Sequence, residues 1–205
     1  MDRGDRPSGC ARPPGLDRHY ARRAIRLRPA APGNQDLSDL LAAARCRKPA
    51  FRSVVDIDAP TFLPPGDRPA RITEACRLAG QPVPQSPAAV VRCVLGSLAL
   101  AHAGRCVRCR TSPADRSTRC TSLAGGARNA LLCQLTADAC GLPVLAGPVE
   151  ATAIGNLLVQ ARAAGVVGGD LAALRRLVRQ TQRIVRYEPG DGSGTARAAE
   201  RRVGV

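Results

Sequence analysis

"SLAGGARNALLCQLTADACG", residues 122–141, decides how this chain is read. Gly125 and Gly126 stand just ahead of Asn129, an apolar helical pattern follows at once, and Gly141 closes it. Glycines at a helix entrance let the backbone approach an anion, and the free N–H groups of the first turn point toward it. The pair is therefore a candidate phosphate cradle. The competing reading is a tight connection with no ligand, because short glycine motifs recur without one. Asn129 reads as an N-cap, and Leu131, Leu132 and Leu135 as the buried face. Upstream, "RTSPADRSTRCT" is not the hydrophobic strand that a phosphate-binding turn normally leaves.

Downstream, "LPVLAG" (142–147) reads as a short buried strand. "GPVEATAIGNLLVQARAAG" (147–165) opens with a turn and becomes a helix stopped at Gly165, with Glu150 placed to cap it. A helix follows over 170–182, capped by Asp170, with Leu171, Leu174, Leu177 and Val178 expected to face inward. "RIVRYEP" (183–189) is a strand candidate, and residues 189–205 read as a disordered tail.

Upstream, residues 1–33 are rich in Arg, Pro and Gly without periodicity and read as disordered. Residues 34–47 turn orderly, with Leu37, Leu40, Leu41 and Ala44 on one helical stripe. Residues 51–72 read as a short strand and then a loop broken by Pro64, Pro65 and Gly66. A helix over 70–79 ends at Gly80. Ser86 caps the next helix and Pro87 takes its first position, while Val90, Val91, Val94, Leu95 and Leu98 share a face central to packing. Residues 103–121 carry Arg and Cys in excess and break the pattern again. The turn–helix–strand–helix order indicates an α/β layered fold.

Composition narrows the function classes. The 205 residues carry a net charge of +15, almost all of it arginine against the single Lys48, and aromatics are 2%. The charge alone suggests a basic nucleic-acid-binding module. A binder of that kind usually adds lysines and stacking aromatics, which are scarce here, so nucleic acid is disfavoured as a partner. No run approaches the roughly 18 apolar residues of a membrane span, and "MDRGDRPSGC" lacks the apolar region of a secretory signal. Nine irregularly spaced cysteines do not form a secreted disulfide framework, so the expected compartment is the cytoplasm, with thiols reduced.

His102, Cys106, Cys109 and Cys120 have tolerable metal-ligand spacing. No flanking apolar or glycine pattern supports a metal-stapled unit, so they read as incidental and no metal ligand is assigned. Cys76 and Cys93 lie on two helices joined by a short connector and could meet; separate core thiols are the simpler reading. Asp138 reads as solvated or part of a capping network. No carboxylate or histidine pair specifies acid–base chemistry, and there is no nucleophile motif and no P-loop.

Three stretches carry a resemblance: "FRSVVDIDAPTFLPPGDRPARI", "QPVPQSPAAVVRCVLGSLAL" and "GGARNALLCQLTADACGLPVLAGPVEATAIGNLLVQARAAG". Together they resemble the C-terminal part of the FGGY carbohydrate kinase family, in its rhamnulokinase branch, over residues 34–102 and 123–188. The resemblance implies a partial actin-like (ribonuclease H-like) ATPase domain over 34–188, interrupted at about 103–121. It implies ATP and Mg²⁺ as cofactors, with Gly125 and Gly126 in the nucleotide-binding turn. The implied reaction is transfer of the ATP γ-phosphoryl to the 1-hydroxyl of L-rhamnulose. A sugar partner is implied only where the family's first domain, which holds the catalytic aspartate, is supplied. No residue here matches that domain, so no catalytic residue is assigned. Ala124 stands where the family's turn has its first glycine. Runs of Arg, Ala, Pro, Gly and Cys over 1–33 and 103–121 are what an out-of-frame reading of a GC-rich gene would produce. On these departures the isolated chain is expected to fold poorly and to lack kinase activity.

Overall fold

The computed structural model describes residues 37–46, 50–110, 120–122, 124–190 and 193–203. The expectation of disorder over 1–33 falls outside these residues, as do residues 111–119 of the 103–121 interruption. Helix α1 (Leu37–Arg45) packs Leu40 and Leu41, half-buried, against the core and buries Ala44 completely; the Leu37 side chain of the expected stripe lies outside the described residues. Helix α2 (Arg68–Leu78) starts two residues earlier than its apolar pattern indicates. Asp67 supplies the reason: its Oδ1 accepts from Ala70 N at 3.0 Å and caps the helix. Gly80, at φ +62°, reverses the chain beyond it.

Helix α3 (Pro87–Arg110) is the centre of the molecule. Ser86 Oγ accepts from Ala89 N at 3.3 Å, and Pro87 occupies the first position, as the sequence indicates. Val90, Val91, Val94, Leu95 and Leu98 are all buried. Two expectations are corrected here. The helix does not stop near residue 102 but continues through "AHAGRCVRCR" to Arg110. The chain also does contain a helix long and apolar enough to cross a membrane, Pro87–Cys106, with mean hydropathy 1.4. That window is 72% buried by the other elements, which marks α3 as a core helix.

Residues 51–59 are also corrected: no strand forms there among the described residues. Side chains replace the ladder. Gln81 Oε1 accepts from Val54 N at 2.9 Å while Gln81 Nε2 donates to Val54 O at 2.8 Å. Ser97 Oγ accepts from Val55 N at 2.9 Å. Both N–H groups and the Val54 carbonyl are thus paired although Val54 and Val55 are buried, as burial requires. Phe51 turns into this segment at φ +57°, an uncommon conformation for a large side chain, and its ring lies 3.4 Å from where a Cβ on Gly96 would sit.

Helix α4 (Ala130–Cys140) packs on α3 through Leu131, Leu132 and Leu135. It connects strand β1 (Cys120–Ser122) to strand β2 (Val144–Ala146), which pair in parallel with Cys120 opposite Val144. This is a compact βαβ unit. Strand β3 (Val185–Tyr187) adds antiparallel to β2, giving the order β1-β2-β3. Between β2 and β3 run α5 (Ala151–Ala163) and α6 (Leu171–Thr181). Asp170 Oδ1 accepts from Ala173 N at 2.9 Å, the expected cap. Glu150 sits at the N-cap position of α5 but makes no side-chain cap bond, contrary to expectation. Leu174 is buried, whereas Leu171 is 55% exposed rather than inward-facing. The tail also departs from expectation. Residues Ser193–Val203 form helix α7, which buries Ala196 and Ala199 against α3 and α4. Arg202 anchors it, donating to the Phe51 and Arg52 carbonyls at 2.9 and 3.2 Å. Alanines carry little hydrophobic signal in a polar sequence, so that packing was not visible in the composition. The coarse fold class holds: helices packed beside a small mixed sheet.

Candidate functional site

The glycine pair sits where a strand gives way to a helix. Contrary to expectation, a strand does precede it: the three residues of β1. The ladder with β2 forms on backbone groups, so it needed no hydrophobic run to announce it. After β1 the chain takes one 3₁₀ turn, Ala124–Arg128, that contains both Gly125 and Gly126. Asn129 N donates to Gly126 O at 3.1 Å and closes this turn. The Cys133 thiol lies 3.6 Å from the same carbonyl.

Asn129 then caps α4, its Oδ1 accepting from Leu132 N at 3.1 Å. The other end of the same amide is left over. Asn129 Nδ2 is buried and has no hydrogen-bond partner among the described residues. A buried donor without a partner costs about 1–3 kcal/mol, so this one asks for an acceptor. The turn, the α4 N-terminus and the orphan amide lie at the carboxyl end of β1, where ligands bind in sheets of this kind.

At the amino end of β1 a different cluster forms. Cys106 near the end of α3, Cys120 at the start of β1 and Cys140 at the end of α4 bring their Sγ atoms within 4.8 Å of one another, all half-buried. Cys106 and Cys120 are 3.2 Å apart at sulfur, and both are unbridged. Hydrogen bonds from Cys106 and Cys140 hold the Cys120 thiol well below its ordinary range; the Cys120 contact, with burial, pushes Cys106 up against an opposing contact from Cys140, and contacts with both partners, with burial, push Cys140 up. His102 lies one turn before Cys106, and burial lowers its pKa. Of the four ligands considered from spacing, the structure brings Cys106 and Cys120 together and adds Cys140; the Cys109 side chain lies outside the described residues. Cys140 was missed because its spacing fits no metal motif. The signal was topological: a helix runs back against the strand it follows, so the end of α4 returns to the start of β1.

Cys76 and Cys93 do meet, at 3.9 Å between sulfurs, buried and unbridged. Asp138 is not solvated. It is buried, and its Oδ1 accepts from Gln134 Nε2 at 2.9 Å and from Gly190 N at 2.8 Å, tying the segment after β3 to α4. Arg92, which sequence reasoning passed over, faces this region from α3. Burial lowers its pKa and the Asp138 charge opposes that, while Nε and Nη1 lack partners among the described residues.

Comparison with known proteins completes the picture. The sequence profile described as "FGGY family of carbohydrate kinases, C-terminal domain" matches residues 16–164. The chain belongs to the FGGY family of carbohydrate kinases. The FGGY match spans both the N-terminal arginine-rich stretch from residue 16 and the segment 103–121. Among curated FGGY relatives, the rhamnulokinase of Bacteroides thetaiotaomicron is 38% identical over 159 residues, covering 78% of this chain and 32% of the relative. That of Klebsiella pneumoniae is 37% identical over 165 residues, covering 80% and 34%. That of Pectobacterium carotovorum is 38% identical over 157 residues, covering 76% and 32%. The chain thus spans about a third of the length of the curated relatives it matches.

Proposed function

We propose that this chain is the nucleotide-holding part of a rhamnulokinase-type sugar kinase, with the actin-like (ribonuclease H-like) architecture of such domains. The observation that carries the reading is the β1–glycine turn–α4 unit, in which a buried, unpartnered Asn129 Nδ2 stands beside Gly125 and Gly126. The residues fit ATP. The glycines leave room for close backbone approach, the α4 N-terminus favours an anion, and Asn129 offers a donor to a ring nitrogen, hydroxyl or phosphate oxygen. Bound ATP would supply the phosphoryl group, with Mg²⁺ arriving on its phosphate oxygens, as suits a hard cation. The chain's own contribution is to hold and orient the nucleotide. Removal of the sugar proton falls to the aspartate of the family's first domain, which nothing here matches, so the chain alone is inactive and a sugar binds only where that domain is supplied. The setting is the cytoplasm, where ATP is available.

The domain layout, expected over 34–188 with an interruption at about 103–121, belongs to the same proposal in a narrowed form: α3 carries the domain to Arg110, β1 resumes it at Cys120, and α7 packs onto it beyond residue 188. The coding sequence read across its junctions tests the out-of-frame origin: a second frame without apolar periodic segments rejects it. For the nucleotide site, the test is ATP-dependent thermal stabilisation of the purified chain. A rise in Tm that saturates with MgATP, and that Asn129→Asp abolishes, supports the reading. An unmoved Tm at millimolar MgATP rejects it. No observation favours the nucleic-acid alternative.

A further inference from the structure

We propose that Cys106, Cys120 and Cys140 form a three-thiolate site for a soft divalent metal ion, zinc being the fitting one, that staples the end of α3 to the β1–α4 unit. The geometry carries it. Three cysteines from three elements, separated in sequence by 14 and 20 positions, converge with all sulfurs within 4.8 Å of one another. Tetrahedral zinc–thiolate ligation at about 2.3 Å from each sulfur requires sulfur–sulfur edges of roughly 3.8 Å. The observed group brackets that spacing, with Cys106 and Cys120 at 3.2 Å, so side-chain rotation suffices. Among the described residues this is the one group of three such side chains.

The elements that deliver the thiols are fixed independently of any metal. Cys120 N donates to Pro143 O at 2.9 Å, seating the start of β1 against the entry to β2. Cys140 is the last residue of α4, immediately before Gly141, whose φ of +62° and N–H bond to Ala137 O at 2.9 Å terminate the helix. Cys106 rides on the core helix one turn after His102. Sulfur ligands select zinc, cadmium or copper(I) over the hard magnesium that accompanies ATP, so the two ions would not compete. The site lies at the opposite end of β1–α4 from the glycine turn. The 11 residues of α4 place about 15 Å between them, and the staple is independent of nucleotide binding.

The experiment uses the full chain, purified under reducing conditions and stripped of metal. Co²⁺ is titrated as a spectroscopic probe and then displaced with Zn²⁺. The expected result is one equivalent bound per chain, with thiolate-to-cobalt charge-transfer absorption that zinc abolishes. Cys120→Ser and Cys140→Ser should each weaken binding at least tenfold, while Cys46→Ser and Cys76→Ser leave it unchanged. Since a variant could unfold, alkylation of the unaltered chain is mapped with and without zinc. Protection confined to Cys106, Cys120 and Cys140 supports the staple. Absence of charge-transfer absorption, unprotected thiols at these three positions, or a Cys106–Cys120 disulfide that forms as fast with zinc as without it would overturn the proposal.

Discussion

Asn129 uses the two ends of one amide differently. Oδ1 caps α4, and Nδ2 is buried without a partner among the described residues. Two substitutions separate these tasks. Asn129→Asp keeps a capping oxygen for α4 but removes the donor, so the chain should still unfold cooperatively in urea while the ATP-dependent Tm shift disappears. Asn129→Ala loses the cap as well and should cost about 1 kcal/mol. Asp138 shows how burial changes a residue's meaning. As letters, "TADAC" suggests a carboxylate that is solvated or part of a capping network; in space it is buried and accepts from Gly190 N and Gln134 Nε2. Asp138→Ala should destabilise the chain by about 1–3 kcal/mol in chemical denaturation, since it orphans these donors. The caps at Ser86, Asn129 and Asp170 were legible because capping is local: residue type and the next three residues define it. Glu150 was misread because its side chain, though at the right position, makes no cap bond.

At the scale of elements, α3 holds the core together. Leu95 is 1% exposed and belongs to a core cluster to which α1, α2, α4 and the 51–59 segment all contribute. Leu95→Ala should cost about 2–5 kcal/mol in urea denaturation, the range for a leucine cavity that cannot collapse. Helix α7 gives a second prediction. Truncation before Ser193 removes Ala196, Ala199 and the Arg202 bonds to the Phe51 and Arg52 carbonyls. Tm by differential scanning fluorimetry should fall by several degrees, in line with 1–2 kcal/mol lost from a domain of this size. Helices with a clear apolar stripe, such as α1 and α4, were legible because their period is written in the residues they bury. The stretch at 51–59 was not. Its apolar character matched a strand, but the partners for its backbone are side chains of Gln81 and Ser97, far along the chain.

For the whole molecule, the family shown by the comparisons and the third of its length present set the expectation. The chain should be stabilised by ATP, by about 2.7 kcal/mol at a hundredfold excess over its dissociation constant. Purified alone, it should show no ATP- and L-rhamnulose-dependent turnover in a coupled assay. Weak DNA retention that collapses with salt would reflect only the +15 charge. Short-range chemistry let residues 122–141 declare a glycine turn and a capped helix, because caps, turns and apolar periods act over a few neighbours; the kinase family came from the resemblance of three longer stretches. The gathering of Cys106, Cys120 and Cys140, the seating of α7, the pairing of β1 with β2 and the burial of Asp138 were settled only by the folded chain. Each depends on which distant segments come into contact, and that is fixed by packing around α3 rather than by any local preference.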